Sequence, residues 1–287
     1  MNFQRFTNDI IQNKWNVFGV EVYKNGHLAH AFGDTTENRH PIYSATKTIT
    51  SIAAGMAVDD GRLDLNASVL KYLPERFVHA MSPAQRHTYS HITIHRLLTM
   101  SVCGYPFRPE GESWLMNSLA IPLPDVHKRE FDYSNISAYL VGVAAACAVD
   151  EELFSYLDRR LFTPLGIKNP PCGRCPDGYF YGASNMELTV NELSRIGIML
   201  ANGGTYNSQR ILSADYIQKA TSIQQMNREG GYGYFIWKYK NGFSINGKWK
   251  QKCYVMPDKQ LMVTFLSHIE DKAPGFTESL EKNILNT

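Results

Sequence analysis

Nothing in this chain approaches a run long enough to cross a membrane as a helix. The longest apolar stretch, Val141 to Val149, falls far short of the roughly 20 residues such a span needs. Charge of one sign is missing too. Lys and Arg number 29 against 27 Asp and Glu, a formal +2, so the balance offers nothing to a polyanion. No basic cluster is interleaved with aromatics, and nucleic acid is not an expected partner. The opening residues, "MNFQRFTNDIIQNKWN", show neither an apolar signal core nor a small-residue cleavage pattern, and a cytoplasmic chain is expected. Internal repeats and low-complexity segments do not occur. Cysteine is scarce, with five in all. Cys103, Cys147 and Cys253 lie in apolar sequence and read as buried thiols. Cys172-Gly-Arg-Cys175 is a C-x-x-C, but no second pair completes a zinc tetrad. Pro170-Pro171 before it removes the helix start that redox pairs use. It reads as a structural loop, with a disulfide or a metal as the alternatives.

What is present is an ordinary globular composition, 44% hydrophobic and 20% charged over 287 residues. That is enough for one large domain or two intertwined ones with ample core. Phe18 to Tyr23 reads as a strand with Val20 and Val22 on one face. Asn25-Gly26 turns the chain, and Leu28 to Phe32 returns. From Thr48 the period becomes 3.6, with Ile49, Ile52, Ala53 and Met56 aligned until Gly61. The middle is mostly helical: Thr93 can cap a helix with Ile94, Leu97 and Leu98, and Ile136 to Val149, Leu153 to Phe162 and Leu188 to Leu200 follow. Strands return in Tyr232 to Tyr239, Phe243 to Ile245, Lys250 to Val255 and Leu261 to Ser267, and Glu278 to Leu285 closes as a helix. The expected fold is α+β. An antiparallel sheet built from both chain ends is flanked by helices (1–62 and 183–287), with a mostly helical domain inserted over 63–182.

The tetrad S-x-x-K occurs three times, at Ser44–Lys47, Ser68–Lys71 and Ser279–Lys282. Ser68 precedes a segment broken by Pro74, and Ser279 lies on a terminal amphipathic helix where Lys282 meets solvent. Ser44 starts the long apolar helix. Residues i and i+3 share a helix face, so Lys47 can reach the Ser44 hydroxyl. Burial would lower the lysine pKa and free its amine as a base. The plainer alternative is a capping serine beside a snorkelling lysine. A Y-x-N pattern also occurs three times. In Tyr23–Asn25 and Tyr239–Asn241 a glycine follows, so those asparagines are turn residues. Tyr133-Ser134-Asn135 instead opens a buried helix. Its phenol could move a proton in a cleft, and Asn135 could hold a substrate amide or ester. The alternative is a helix cap after a packed tyrosine.

With these residues in order, the chain resembles the serine β-lactamase and penicillin-binding-protein superfamily, near class C enzymes and their esterase and 6-aminohexanoate-oligomer hydrolase relatives. The resemblance runs through "PIYSATKTITSIAAGMAVDDGRLDLNASVLKYLP", "ITIHRLLTMSVCG", "FDYSN", "LFTPLGI" and "YGASNMELTVNELSRIGIMLANGG". It implies that Ser44 attacks the acyl carbon, that Lys47 and Tyr133 move the proton, and that Asn135 holds the substrate. The family's third element, K-T-G or H-x-G, is matched by Ile245-Asn246-Gly247. Asn246, Gly247 and Lys248 are therefore the further binding residues, the Lys248 N–H joining that of Ser44 as an oxyanion hole. The family's cation or imidazole is Ile245 here, which weakens the case for β-lactam hydrolysis.

The resemblance implies a serine hydrolase with no cofactor, acting on a small-molecule ester, amide or lactam. The alternative is a penicillin-recognising sensor or binding protein that is acylated without turnover. A metal hydrolase could use His87, His91 and His95, spaced i, i+4, i+8, but Thr93 as a helix cap would place them across a boundary. Trp114, Tyr179, Tyr181, Trp237 and Trp249 could wall the cleft, or simply be core.

Overall fold

In the computed structural model, which describes residues 1–270 and 273–286, both ends of the chain enter one sheet. Helix α1 (Phe3–Gln12) leads into β1 (Val17–Lys24) and β2 (His27–Gly33). Asn25 and Gly26 join the two strands, with φ of 53° and 80°. Paired positive φ angles match the twist of a hairpin, which is why Asn-Gly is favoured there. The next long elements are α2 (Thr46–Asp59), α3 (Asn135–Val149) and α4 (Val190–Ala201). Four strands follow: β3 (Trp237–Tyr239), β4 (Gly242–Gly247), β5 (Gln251–Met256) and β6 (Leu261–Ser267). The sheet order is β2-β1-β6-β5-β4-β3, antiparallel throughout. The join between first and last strands is register-locked by Val20 opposite Phe265 and Val22 opposite Val263. This is the α+β architecture that the sequence predicts.

Each face of the sheet has its own cover. On one, Phe6 and Ile10 of α1 join Phe276, Leu280 and Ile284 over Val20, Val22, Val263 and Phe265. On the other, α2 and α3 form a much larger buried cluster that reaches Ile245, Cys253 and Val255. Every residue of α3 from Asn135 to Ala146 is buried, which explains its lack of a polar face. Ser134 starts it, its hydroxyl accepting from the Ile136 N–H at 3.0 Å. Thr189 and Glu192 cap α4 reciprocally, and Arg39 pins Glu192 at 2.6 Å. Among the described residues no helix is long and apolar enough to cross a membrane.

Several expectations change. The strand expected over Tyr232 to Tyr239 is confined to Trp237–Tyr239. Phe235 takes φ of 56° and its N–H bonds Leu98, while the Tyr234 N–H bonds Ala220. The chain there is tied to helices and leaves the ladder. The helix over Leu153 to Phe162 is α-helical only to Leu157 and then widens into a π turn, Asp158–Phe162. The closing helix does the same after Leu280. Sequence reasoning missed α1 and the short helices Glu75–Ala80, Pro83–Ser90, Trp114–Leu119 and Ala214–Thr221. Cys253 is buried, but Cys103 and Cys147 are only half-buried. Cys172 and Cys175 are free thiols in a loop, the latter 3.4 Å from the Tyr139 hydroxyl.

Candidate active site

Ser44 sits in a tight turn, Tyr43–Ala45, immediately ahead of α2 rather than inside it. Ala45 and Thr46 keep helical dihedral angles, so turn and helix are continuous and the i, i+3 relation survives. Lys47 Nζ donates to Ser44 Oγ at 3.0 Å and to the Ala183 carbonyl at 2.9 Å. The lysine is only 1% exposed, and burial pushes its pKa down from 10.5 to about 7. An ammonium stripped of water and given no carboxylate loses its proton readily. Before the serine, Tyr43 holds φ of 47°, a conformation sparsely used by residues with a side chain.

Tyr133 closes the cluster. Its ring centroid is 4.9 Å from Lys47 Nζ. Burial pushes the phenol up to about 12, and a hydrogen bond with Ser44 partly offsets that rise. The ring also stacks on Trp237 at 5.8 Å. Asn135, two residues on, is buried. Its Nδ2 donates to the Tyr181 hydroxyl at 3.1 Å, while its Oδ1 is buried and has no hydrogen-bond partner among the described residues. A buried acceptor left unpaired costs about 1–3 kcal/mol, so this oxygen is suited to a donor brought from outside. Asn135 lines a cavity of about 430 Å³ with Arg108, Trp114, Tyr181 and Ser184.

Strand β4 forms the other edge. A Cβ on Gly247 would lie 2.2 Å from the Ile42 carbonyl oxygen, so only glycine lets the strand approach the serine turn this closely. Ile245 is fully buried in the core. Asn246 stands opposite Lys252 of β5, with its Oδ1 buried and unpaired. Lys248 is exposed, and its ammonium lies over the Trp249 ring at 4.4 Å. Trp249 in turn meets Tyr43 edge-on at 5.0 Å.

Serine, lysine and tyrosine therefore come together, with Gly247 of β4 against the serine turn; Asn135 follows Tyr133 by two residues and its side chain meets Tyr181. The other two S-x-x-K serines do not join them. Ser68 caps a short turn, and Ser279 donates to Asp9 on the opposite side of the sheet. Of the aromatics, Trp114 and Tyr181 line the Asn135 cavity and Trp237 backs Tyr133. Tyr179 instead faces a separate hollow with Cys147 and Asp177. His87 belongs to the helix Pro83–Ser90, His91 follows it, and Thr93 caps the next helix, which carries His95. His91 packs between His87 and His127, whereas His95 packs on Tyr234. The Ala183 carbonyl that holds Lys47 was missed, because a backbone acceptor has no sequence signature.

The Beta-lactamase family pattern matches residues 10–283. The chain belongs to the Beta-lactamase family. This membership supports a hydrolase of that superfamily acting on small molecules. Solved structures show the same fold at low identity. One is a protein provisionally described as a beta-lactamase from Bacteroides dorei DSM 17855, 18% identical with a TM-score of 0.78, covering 99% of this chain and 98% of that one. Another is a penicillin-binding protein homolog from Caulobacter crescentus, 14% identical, TM-score 0.75, covering 98% and 96%. A third, provisionally described as a 6-aminohexanoate-dimer hydrolase from Bacillus anthracis, is 16% identical with a TM-score of 0.73, covering 98% and 80%.

Proposed function

We propose that this Beta-lactamase family member is a serine hydrolase that works through an acyl-enzyme on small esters, amides or β-lactam-like substrates. The observation that carries the reading is the 3.0 Å contact between Lys47 Nζ and Ser44 Oγ, made by an amine that burial brings to about 7. A base poised near neutrality is what proton abstraction from an alcohol requires. In this reading the neutral Lys47 takes the Ser44 proton as Oγ attacks the carbonyl. The backbone N–H groups of Ser44 and Lys248 stabilise the tetrahedral oxyanion. Tyr133 relays the proton to the departing alcohol or amine, and water then cleaves the Ser44 ester. Asn135, with its unpaired Oδ1, holds the acyl half, and Asn246 and Gly247 align the substrate along β4. The division into a sheet unit (1–62 and 183–287) and an inserted helical unit (63–182) belongs to the same proposal. Ser44 and Lys47 come from the first unit, Tyr133 and Asn135 from the second. The expected setting is cytoplasmic.

Ile245 supports a second reading. A buried aliphatic side chain leaves β4 itself without a cation, and a site altered there could take up an acyl group and never release it. Intact mass after exposure to esters, D-amino-acid amides and β-lactams separates the two. A hydrolase shows transient adducts with sustained product. A sensor shows one stable equivalent and no steady state. Ser44→Ala should abolish every adduct, and undiminished labelling of that variant would place the nucleophile elsewhere.

A further inference from the structure

Three imidazoles that the candidate active site does not use meet at the surface. His87 lies in the last turn of the helix Pro83–Ser90, His91 follows that helix, and His127 comes from the segment before Tyr133. The His91 ring stands 5.1 Å from the His87 ring and 5.1 Å from the His127 ring, at 81° to the first and 64° to the second. The other histidines that pack on rings do so on Phe3, Phe18, Tyr234 or Trp249. These three pack on one another. Among the described residues none of their ring nitrogens makes a hydrogen bond or an ion pair.

A single buried side chain fixes the backbone that carries two of them. Arg96, 1% exposed, donates to the His91 carbonyl at 3.1 Å, to the Val126 carbonyl at 2.6 Å and to the Lys128 carbonyl at 2.9 Å. Both neighbours of His127 are thus tied to the guanidinium that also ties His91. The Asp125 carboxylate adds a restraint, accepting from the His127 and Lys128 N–H groups at 2.9 and 3.2 Å. What remains free is the side-chain torsions, and the second torsion of histidine is soft. The spacing suits a shared ion. An ion about 2 Å from a ring nitrogen lies about 3.2 Å from the ring centre, and two such rings around a tetrahedral ion stand about 5.2 Å apart. The separation of His91 and His127 is 5.1 Å. Imidazole suits zinc, nickel and copper, whereas magnesium and calcium take oxygen ligands. Lys128, the next residue, has its ammonium held by Glu130 at 2.9 Å, and Asp125 places negative charge in the same turn. No group of three His, Cys, Asp or Glu side chains among the described residues is placed to hold one ion. The site is therefore one of two imidazoles, with water in the remaining positions.

We propose that His91 and His127 bind one divalent ion of the zinc type, with His87 as an outlying third imidazole. The ion joins the helix Pro83–Ser90 to the segment before Tyr133, and the proposal does not depend on the acyl-enzyme reading. The test titrates untagged full-length protein with Zn²⁺ by equilibrium dialysis near neutral pH, and with Co²⁺ by absorption. One equivalent should bind, without the charge-transfer band that a thiolate ligand gives. Altering a group just beyond a metal ligand weakens binding by about 10–100-fold, so His91→Gln and His127→Gln should each weaken it by about 100-fold or more. His127 is exposed, so its replacement leaves the core intact and decides the matter even if His91→Gln folds poorly. His95 packs on Tyr234 and not on this cluster, so His95→Gln should bind as the wild type does. No bound ion in the wild type, a thiolate band, or unchanged affinity in His127→Gln overturns the proposal. Loss in His87→Gln with retention in His127→Gln places the ion on the helix pair and overturns it equally.

Discussion

Replacing Lys47 by methionine should destroy activity and stabilise the fold, and the stabilisation should depend on pH. The lysine is fully buried with no carboxylate paired to it among the described residues, and its pKa falls from 10.5 to about 7. Each tenfold in that shift is about 1.4 kcal/mol, so below pH 7 the charged form is disfavoured in the folded state by on the order of 5 kcal/mol. The sign follows from proton binding. Between about 7 and 10.5 the unfolded chain holds the proton and the folded chain does not, so stability rises with pH across that window and is flat below it. Methionine removes this cost but leaves Ser44 Oγ and the Ala183 carbonyl without their donor, a loss of about 1–2 kcal/mol. The net expectation is a gain of about 3 kcal/mol near pH 6, shrinking to about zero near pH 9.5. Urea unfolding of both proteins at the two pH values measures it, and comparing variant with wild type cancels every other titration. A gain that is the same at both pH values, or a loss near pH 6, would refute the argument that Lys47 is a desolvated, unpaired amine.

Three further outcomes are expected. The acylation rate should rise with pH through a midpoint near 7 as Lys47 loses its proton; stopped-flow kcat/KM profiles would show a flat response if another group were the base. Tyr133→Phe should slow release of poor leaving groups by about 10²–10³ while sparing nitrophenyl esters, whose departure needs no proton. Equal losses for both would remove the relay. Gly247→Ala would push a Cβ to 2.2 Å from the Ile42 carbonyl, a backbone atom that cannot swing away. The strand should shift and turnover should fall by about 10², measured beside the melting temperature; an unchanged rate would mean that β4 does not edge the site.

Much of the fold was legible because its signals are long and local. The hairpin at Asn25-Gly26 and the apolar helices α2 and α3 follow from residue types that leave few alternatives. Among the missed helices, Pro83–Ser90 carries polar residues on most positions, so no apolar stripe marked it, whereas α1 does carry one in Phe3, Phe6 and Ile10, a signal that was there to be read. The overlong strand at Tyr232 has aromatic residues that suit a sheet, yet Phe235 turns away because distant partners, Leu98 and Ala220, capture the backbone there. For the site, S-x-x-K spacing put Ser44 and Lys47 together, and only the surrounding apolar run chose this copy over two others. What spacing could not supply was the environment: the Ala183 carbonyl and the Trp237 face behind Tyr133 both arrive from far along the chain.

The pairing of the first long strand with the last one also sets a timetable. A ribosome delivers β1 early, but its neighbour β6 ends at Ser267, and the Asn2 N–H finds its acceptor only at Asn283. Until β6 has emerged, β1 lacks that inner neighbour and the strand that carries Gly247 has no completed sheet to hold it beside the serine turn. Closing so long a loop is slow compared with forming helices, so the nascent chain should stay chemically silent until β6 has paired with β1.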